Sequence, residues 1–504
     1  MPPLRWSLPA GLRKDWAEIA LAACAALYAL GSRLLKLEPI EIGGDALNKW
    51  HFARQWFYRF DITEVPWDHH LSRFGVNVPL HLAQLVFGRK PGVYYVAAVG
   101  VFVATALLVY VIGRLAHGKA AAVLATLWFV SFPSWERAGS QVNPDSFGAF
   151  YVGVGMLLLL VYERARSRKL LWLCASSTAL FLSYLAKEPF AAFVGGGMLA
   201  TYLISRNLKH AALYGAIPVA LLAVETVFYR SISQYSSRFA LISTTHGKRP
   251  ILIDNIFGVF GRFTVLPGFW DPLLILAAVG AIALPFLIPG ARRRLWPLIF
   301  LPLVFFAFYT FAIRRLHPLS LWSSFHARYL DVGVPFCALL GSILLVALAA
   351  FLAKRYAPAL VARVEAYQRF GALAGCLVFL GFGVRNYLKD PPNSRHPLVT
   401  TRKIHDVLND AYRRGLPIAA VRGDADARRL ALKAAYKLYI DDNQLAVDGK
   451  LPYWSTVPTP KDRLVKPGSA PARRGCEVQV WAEGRALRVP RLSFLPPSCD
   501  GPRP

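Results

Sequence analysis

Runs of mostly apolar residues, separated by short polar or basic connections, repeat along most of the chain. Lipid offers backbone polar groups no water, so a run of roughly 17 to 25 apolar residues predicts a helix that satisfies them internally. About eleven windows answer this description. They run from Trp16 to Leu37, Gly92 to Leu115, Lys119 to Pro133, Asp145 to Tyr162, Leu170 to Ala186, Phe190 to Ser205, Ala211 to Tyr229, Asp271 to Pro289, Trp296 to Ile313, Arg328 to Leu352 and Phe370 to Val384. The third and fourth lie close together, and a tight apolar pair also fits a buried or re-entrant segment.

Composition agrees with this pattern. Of 504 residues 55% are hydrophobic, with mean hydropathy +0.39, which is too apolar for an ordinary soluble enzyme and typical of a multi-span protein. The expected fold class is therefore mainly α, a polytopic membrane bundle. Basic clusters occupy alternate connections: Arg13 and Lys14, Arg114 to Lys119, Arg164 to Lys169, Arg206 and Lys209, Arg292 to Arg294, and Lys354 to Arg369. The positive-inside rule places all six on the cytoplasmic side. The first helix has no small-residue cleavage site and is expected to stay as an anchor, with the N-terminus cytoplasmic.

An odd number of spans puts residues 385–504 on the outer side, beyond a membrane domain expected over 1–384. This tail is charged and Pro-rich yet patterned. Thr401 to Arg414 and Ala425 to Tyr439 read as helices, and Pro417 to Val421 and Glu477 to Ala482 as strands, so a small α/β domain is expected. Cys24, Cys174, Cys337 and Cys376 fall in spans, where they pack as small apolar residues. Cys476 and Cys499 stand alone in the tail, and an exported pair of this kind favours a disulfide.

The net charge of +29 is spread over loops and tail with no stacking motif or nucleic-acid fold signature, so anionic lipid is the expected partner and nucleic acid is not. No Walker loop, dinucleotide fingerprint or zinc pattern is present. In this topology Asp45, Asp145, Lys187, Glu188, Glu225, Asp271, Arg328 and Asp331 all lie at outer ends of spans or in outer loops. A transporter or pump usually carries ionisable groups near the midplane. The pattern points instead to chemistry at the outer interface. The first outer loop, residues 38–91, holds an amphipathic stretch from Asn48 to Phe60 that suits the membrane plane. It also carries His69, His70, Arg73, His81, Arg89 and Lys90, donors suited to a lipid-borne phosphate or to headgroups.

Five short motifs recur in order. Gly43-Gly44-Asp45-Ala46 lies in the first outer loop, and Arg73-Phe74-Gly75 leads to Pro79-Leu80. Asn143-Pro144-Asp145 opens the fourth window, Tyr184-Leu185-Ala186-Lys187-Glu188-Pro189 ends the fifth, and His326-Ala327-Arg328-Tyr329-Leu330 with Pro335 opens a late one. On these motifs, over about the first 340 residues, the chain resembles the GT-C superfamily of membrane glycosyltransferases, in the bacterial branch of protein O-mannosyltransferases and the lipid A aminoarabinose transferase. The resemblance implies a multi-pass protein of the bacterial inner membrane with a periplasmic tail. It also implies transfer of a sugar from a polyprenyl-phosphate carrier to an acceptor hydroxyl on lipid A or oligosaccharide, protein or another envelope glycan, usually with inversion.

Such a reaction needs a base for the hydroxyl proton, and Asp45 at the interface is the candidate. It also needs cations where the departing phosphate gathers charge, and Arg73, Lys187 and Arg328 are the candidates. The alternative for each is a side chain snorkelling to headgroups. Tyr329 can stack or hydrogen-bond beside the carrier, or serve in an interfacial belt. Asp145 matches the family's acid near the cleft, although an acid at a helix start is also favoured by the dipole alone. Glu188 is either a helix-end acid paired with Lys187 or a cleft residue that orients it. No cofactor is expected to be obligatory; a divalent metal could use a weak set of Asp45, His69 and His70. Two other classes remain open: a lipid-linked sugar flippase, which should show two related halves and an ionisable path, and a surface-polysaccharide ligase or polymerase working from a diphosphate carrier.

Overall fold

A computed structural model of the chain describes residues 16–40, 72–232 apart from 89, 270–311, 331–357, 370–389 and 396–413, together with 46, 49–50, 52–53, most of 235–241, 391, 435 and six short strands. In chain order its helices are α1 (Trp16–Leu35), α2 (Phe74–Phe87), α3 (Pro91–Ala116), α4 (Lys119–Val130), α5 (Pro133–Ala138), α6 (Pro144–Arg164), α7 (Lys169–Ala186), α8 (Ala192–Ser205), α9 (Leu208–Ile232), α10 (Trp270–Leu287), α11 (Arg292–Phe311), α12 (Val334–Tyr356), α13 (Phe370–Lys389) and α14 (Pro397–Arg413). Every apolar window predicted from hydropathy holds one of them.

Among the described residues seven have the length and apolarity of a membrane span: α1, α3, α6, α7, α9, α12 and α13. A further pair, α10 and α11, meets at 104° and makes one broken crossing or a re-entrant pair, so seven or eight of the described helices or pairs answer to a span by length and composition. Two of the predicted windows hold shorter helices. The 12 residues of α4 climb only about 18 Å and the 14 of α8 about 21 Å, against a hydrocarbon core of roughly 30 Å. On one face α4 buries Ala121, Ala122, Ala125, Thr126, Phe129 and Val130 among its neighbours.

The bundle pairs α6 with α7, α8 with α11, α10 with α12, α1 with α13, and α3 with both α4 and α6. One apolar cluster runs through it, including Phe102, Phe129, Trp135, Leu159, Leu180, Phe193, Phe305 and Phe336. Phe193 and Phe305 stack at 4.6 Å between α8 and α11. Hydroxyls buried in this apolar interior find backbone acceptors, as the low dielectric demands. Ser176 Oγ donates to the Gly155 carbonyl at 2.7 Å and Ser177 Oγ to the Tyr214 carbonyl at 2.5 Å. At the end bearing the basic connections, Glu18 of α1 takes Arg114 at 3.0 Å and Lys119 at 2.8 Å, tying α1 to the α3–α4 turn.

A second apolar cluster forms the opposite end. It joins Trp50, Val76, Leu80, Tyr94, Ala98, Val142, Phe147 and Ala186 to Ile404 and Leu408 of α14. The connections after α9 and α11 share a small sheet in which β1 (Ile251–Leu252), β2 (Ile313–Leu316) and β3 (Leu319–Leu321) lie in the order β1-β3-β2, all antiparallel. In the tail, β4 (Ile418–Ala420) runs parallel to β5 (Val478–Glu483), which pairs antiparallel with β6 (Arg491–Leu495). The first tail helix and both strands thus form where patterning placed them, and β6 is additional. The expected helix from Ala425 to Tyr439, most of the Asn48 to Phe60 stretch, Cys476 and Cys499 lie outside the described residues.

Two glycines permit backbone approaches that position this end. A Cβ on Gly75 would lie 2.5 Å from Ala186 N and 2.7 Å from the Leu182 carbonyl, so α2 sits directly on the last turn of α7. A Cβ on Gly148 would lie 2.1 Å from the Phe190 ring, so the start of α6 is pressed against the chain just past Lys187. We expect Gly75→Ala to destabilise the protein by about 1–3 kcal/mol, because backbone cannot yield as a side chain can. Gly100→Ala, which meets nothing within 4 Å, should be neutral or stabilising. Thermal unfolding in lipid nanodiscs distinguishes the two.

Candidate functional site

The site begins with two local signals. Asn143 caps α6 by accepting the Asp145 backbone N–H at 3.3 Å, Pro144 holds the first helical position, and Asp145 follows at the positive end of the dipole. On the neighbouring strand of chain, α7 stops at Ala186 because Pro189 disfavours helical backbone just before it. Lys187 turns extended, with φ −160°, and a short 3₁₀ turn over Glu188–Ala191 leads into α8. This break sends the side chains of Lys187 and Glu188 to different partners.

Lys187 Nζ meets Asp145 Oδ1 at 2.6 Å, and the two residues are only 6% and 2% exposed. Neither charge could be held out of water without the other, since an isolated buried ion loses several kcal/mol of hydration. The Phe190 ring lies 5.7 Å from the same ammonium and gives it an aromatic face.

Glu188 is claimed by Arg238, from the long connection after α9. Arg238 Nη2 and Nε donate to Glu188 Oε1 at 2.7 and 3.1 Å. The same guanidinium donates to the carbonyls of Tyr184 at 3.2 Å and Leu185 at 3.3 Å, capping the C-terminal end of α7. It also stands 3.8 Å from Glu225 Oε1, and Tyr184 Oη donates to Glu225 Oε2 at 2.9 Å. Burial opposes the guanidinium's charge, yet Glu188, then Tyr229, Tyr184 and Glu225, outweigh it and push its pKa above the usual arginine value. Arg73, one residue before α2, brings its Nε to 4.0 Å from Glu188 Oε1. The group thus holds Arg73, Lys187 and Arg238 against Asp145, Glu188 and Glu225.

The first outer loop reaches the same place. Tyr95 Oη donates to the Glu38 carbonyl at 3.0 Å and Gln141 Nε2 to the Pro39 carbonyl at 2.7 Å, while Tyr94 Oη donates to Gln141 Oε1 at 2.5 Å. Ile40 and Ala46, which flank Gly43–Asp45, pack in one cluster with Val142 and Ala186, the neighbours of Asp145 and Lys187. Further along, the Ala53 carbonyl is within 2.7 Å of His81 Nδ1 on α2.

Four of the residues singled out from sequence are therefore brought together: Arg73, Asp145, Lys187 and Glu188. Glu188 is not Lys187's partner among the described contacts; each finds its own opposite charge. Asp45, His69, His70, Arg328 and Tyr329 lie outside the described residues. Asp331, close behind Arg328, is buried, and its carbonyl accepts from Trp135 Nε1 at 3.1 Å. Among the described residues no group of three His, Cys, Asp or Glu could hold a metal ion. Arg238 escaped sequence reasoning altogether, since a single arginine in a connection rich in Ser and Tyr has no spacing that marks it.

No family model and no curated protein sequence matches the chain. Among solved structures, ArnT from Cupriavidus metallidurans bound to undecaprenyl phosphate is similar over 97% of this chain and 100% of its own, at 16% identity and a TM-score of 0.50. The same ArnT in the apo state matches over 84% of each chain at 15% identity and TM-score 0.49. The Archaeoglobus fulgidus oligosaccharyltransferase in complex with Zn and sulfate matches over 84% of this chain at 14% identity and TM-score 0.47, and the chain spans 58% of that protein. The likeness is one of fold: the chain is a multi-pass membrane protein that shares the overall helical architecture of that ArnT.

Removing one partner of the buried pair should cost far more than removing both. We expect Lys187→Met to lose about 3–5 kcal/mol of stability by stranding Asp145, and the double variant with Asp145→Leu to recover most of it. Chemical or thermal unfolding of the single and double variants, compared as a cycle, checks this.

Proposed function

We propose that the chain is an inverting glycosyltransferase that moves a sugar from a polyprenyl-phosphate carrier to an acceptor hydroxyl at the periplasmic face of the bacterial inner membrane. The acceptor class is a hydroxyl of lipid A or oligosaccharide, protein or another envelope glycan. The observation that carries the reading is the buried Asp145–Lys187 pair beside Arg73 and Glu188, at the end of the bundle opposite the basic connections. An ammonium and a guanidinium placed together are the kinds of group that hold a phosphate oxygen by charge-assisted hydrogen bonds.

In the reaction the acceptor oxygen bonds to the anomeric carbon as the bond from that carbon to the phosphate oxygen breaks. The hydroxyl proton passes to Asp45, and the electron pair leaves on the carrier phosphate. Lys187, Arg73 and Arg328 would stabilise that growing charge, with Tyr329 donating beside them. Asp145 is better suited to hold Lys187 than to take the hydroxyl proton, because its Oδ1 already accepts from the ammonium at 2.6 Å. Glu188 orients the cationic side of the site through Arg238 and Arg73. No step is assigned to a metal; Asp45, His69 and His70 are the residues that would be available to one.

A flippase is the less favoured reading. Among the described residues, the buried charges on spanning helices lie within about two turns of a helix end, as Glu18, Arg33, Asp145 and Glu225 do, and trace no path through the middle. The test is sugar transfer by purified protein in lipid, with polyprenyl-phosphate sugars as donors and membrane extract as acceptor. Asp45→Asn should lower transfer by about 10²–10⁴-fold while carrier binding persists. Equal transfer would remove Asp45 from the role of base, and lipid movement without transfer by either protein would favour the flippase.

A further inference from the structure

Gln141 belongs to none of the five motifs, yet it bonds both to the segment that leads into the first outer loop and to the turn that caps α6. We propose that it is a positioning residue: it fixes the loop carrying the base Asp45 against the start of α6, where Asp145 holds Lys187. The inference rests on the glycosyltransferase reading of this site.

The bonds run in series. Just past α1, two successive carbonyls are held by side chains: Tyr95 Oη donates to that of Glu38 at 3.0 Å and Gln141 Nε2 to that of Pro39 at 2.7 Å. The backbone carbonyl of Gln141 accepts the Asn143 N–H at 2.8 Å, and Asn143 Oδ1 accepts the Asp145 N–H at 3.3 Å. One residue thus joins the loop on one side and the cap of α6 on the other. Amide chemistry fixes which way round it sits. The Pro39 carbonyl can only accept, so it takes the NH₂ side, while Tyr94 Oη accepts the Val142 N–H at 3.1 Å and gives its own proton to Gln141 Oε1 at 2.5 Å. Gln141 is only 4% exposed, and an apolar residue would fill such a place without needing partners. A bonded polar network specifies one arrangement, and here the arrangement is the spacing between the segment that leads to Asp45 and the helix that carries Asp145. Ile40 and Ala46, on either side of Asp45 in the chain, pack in one apolar cluster with Val142, the residue after Gln141. The Asp145–Lys187 pair has its own contact at 2.6 Å. Loss of Gln141 should therefore shift the base relative to the cations and leave the cations where they are.

The test compares wild type and Gln141→Met in lipid nanodiscs by sugar transfer from polyprenyl-phosphate sugars, binding of undecaprenyl phosphate, and backbone hydrogen exchange. Turnover at saturating donor should fall on the order of tenfold to 10²-fold while carrier affinity stays within about threefold, since a misplaced base slows the chemical step without removing the partners of the phosphate. Exchange should quicken over residues 36–46 and stay unchanged over 183–190. A merely structural glutamine would lower the melting temperature and leave the turnover of the folded protein at the wild-type value. That result would overturn the proposal, as would unchanged exchange over 36–46 or a loss of affinity as large as the loss of turnover. If Gln141→Met does not fold, Tyr94→Phe carries the test. It keeps the ring beside Trp50 and removes the hydroxyl that orients the amide, so the same split between turnover and affinity is expected. Wild-type turnover in the variant tested would overturn the inference while leaving the glycosyltransferase reading intact; no transfer by wild type from any polyprenyl-phosphate sugar would overturn both.

Discussion

Charge taken out of water must meet opposite charge, and at the end of the bundle opposite the basic loops this requirement organises the structure. Asp145 and Lys187 come from different helices and are each nearly inaccessible, so α6 and the end of α7 must be held at the distance of one ion pair. Arg238 extends the same constraint to α9 through Glu225 and toward α2 through Glu188 and Arg73. Five segments are thereby joined by side chains that would otherwise be costly to bury. In an ordinary soluble core apolar residues do this work more cheaply, so the concentration of paired charge at one end is the feature on which the proposed site rests.

Close backbone contact makes those pairings feasible. A lysine and an aspartate meet at 2.6 Å only if their helices approach without side chains between them, and Gly148 against Phe190 provides that approach for α6. Gly75 does the same for α2 against Ala186. The glycine following Arg73-Phe74 and the acid–base sequence ending α7 are therefore one packing unit, although more than a hundred residues separate them in the chain. The motifs around Arg73, Asp145 and Lys187, weak one at a time, gain meaning because each supplies a piece of the same contact.

Hydropathy revealed where helices form but not how far they travel. Apolarity says that a segment avoids water, and α4 and α8, at about 18 and 21 Å, are shorter than the hydrocarbon core their apolarity suits. The turn from Ala186 to Pro189 was legible, since proline sets the break, as was the Asn143 cap. Partner choice was not. From sequence Glu188 adjoins Lys187 and invites pairing with it, yet among the described contacts Lys187 meets Asp145 and Glu188 meets Arg238 and Arg73. Arg238 had no signature because its role is set by a three-dimensional approach of the connection after α9, which no periodicity reports.

The charge balance of the site constrains how it would hold an anionic carrier. Arg73, Lys187 and Arg238 are matched by Asp145, Glu188 and Glu225, so these six side chains offer no net positive field. Attraction of a lipid phosphate would then depend on directed donors already in place, with Arg328 and Tyr329 as the proposed additions, more than on bulk charge. Preorganised donors suit a reaction in which charge grows during bond breaking, because they are already oriented when that charge appears and need not reorganise as solvent would.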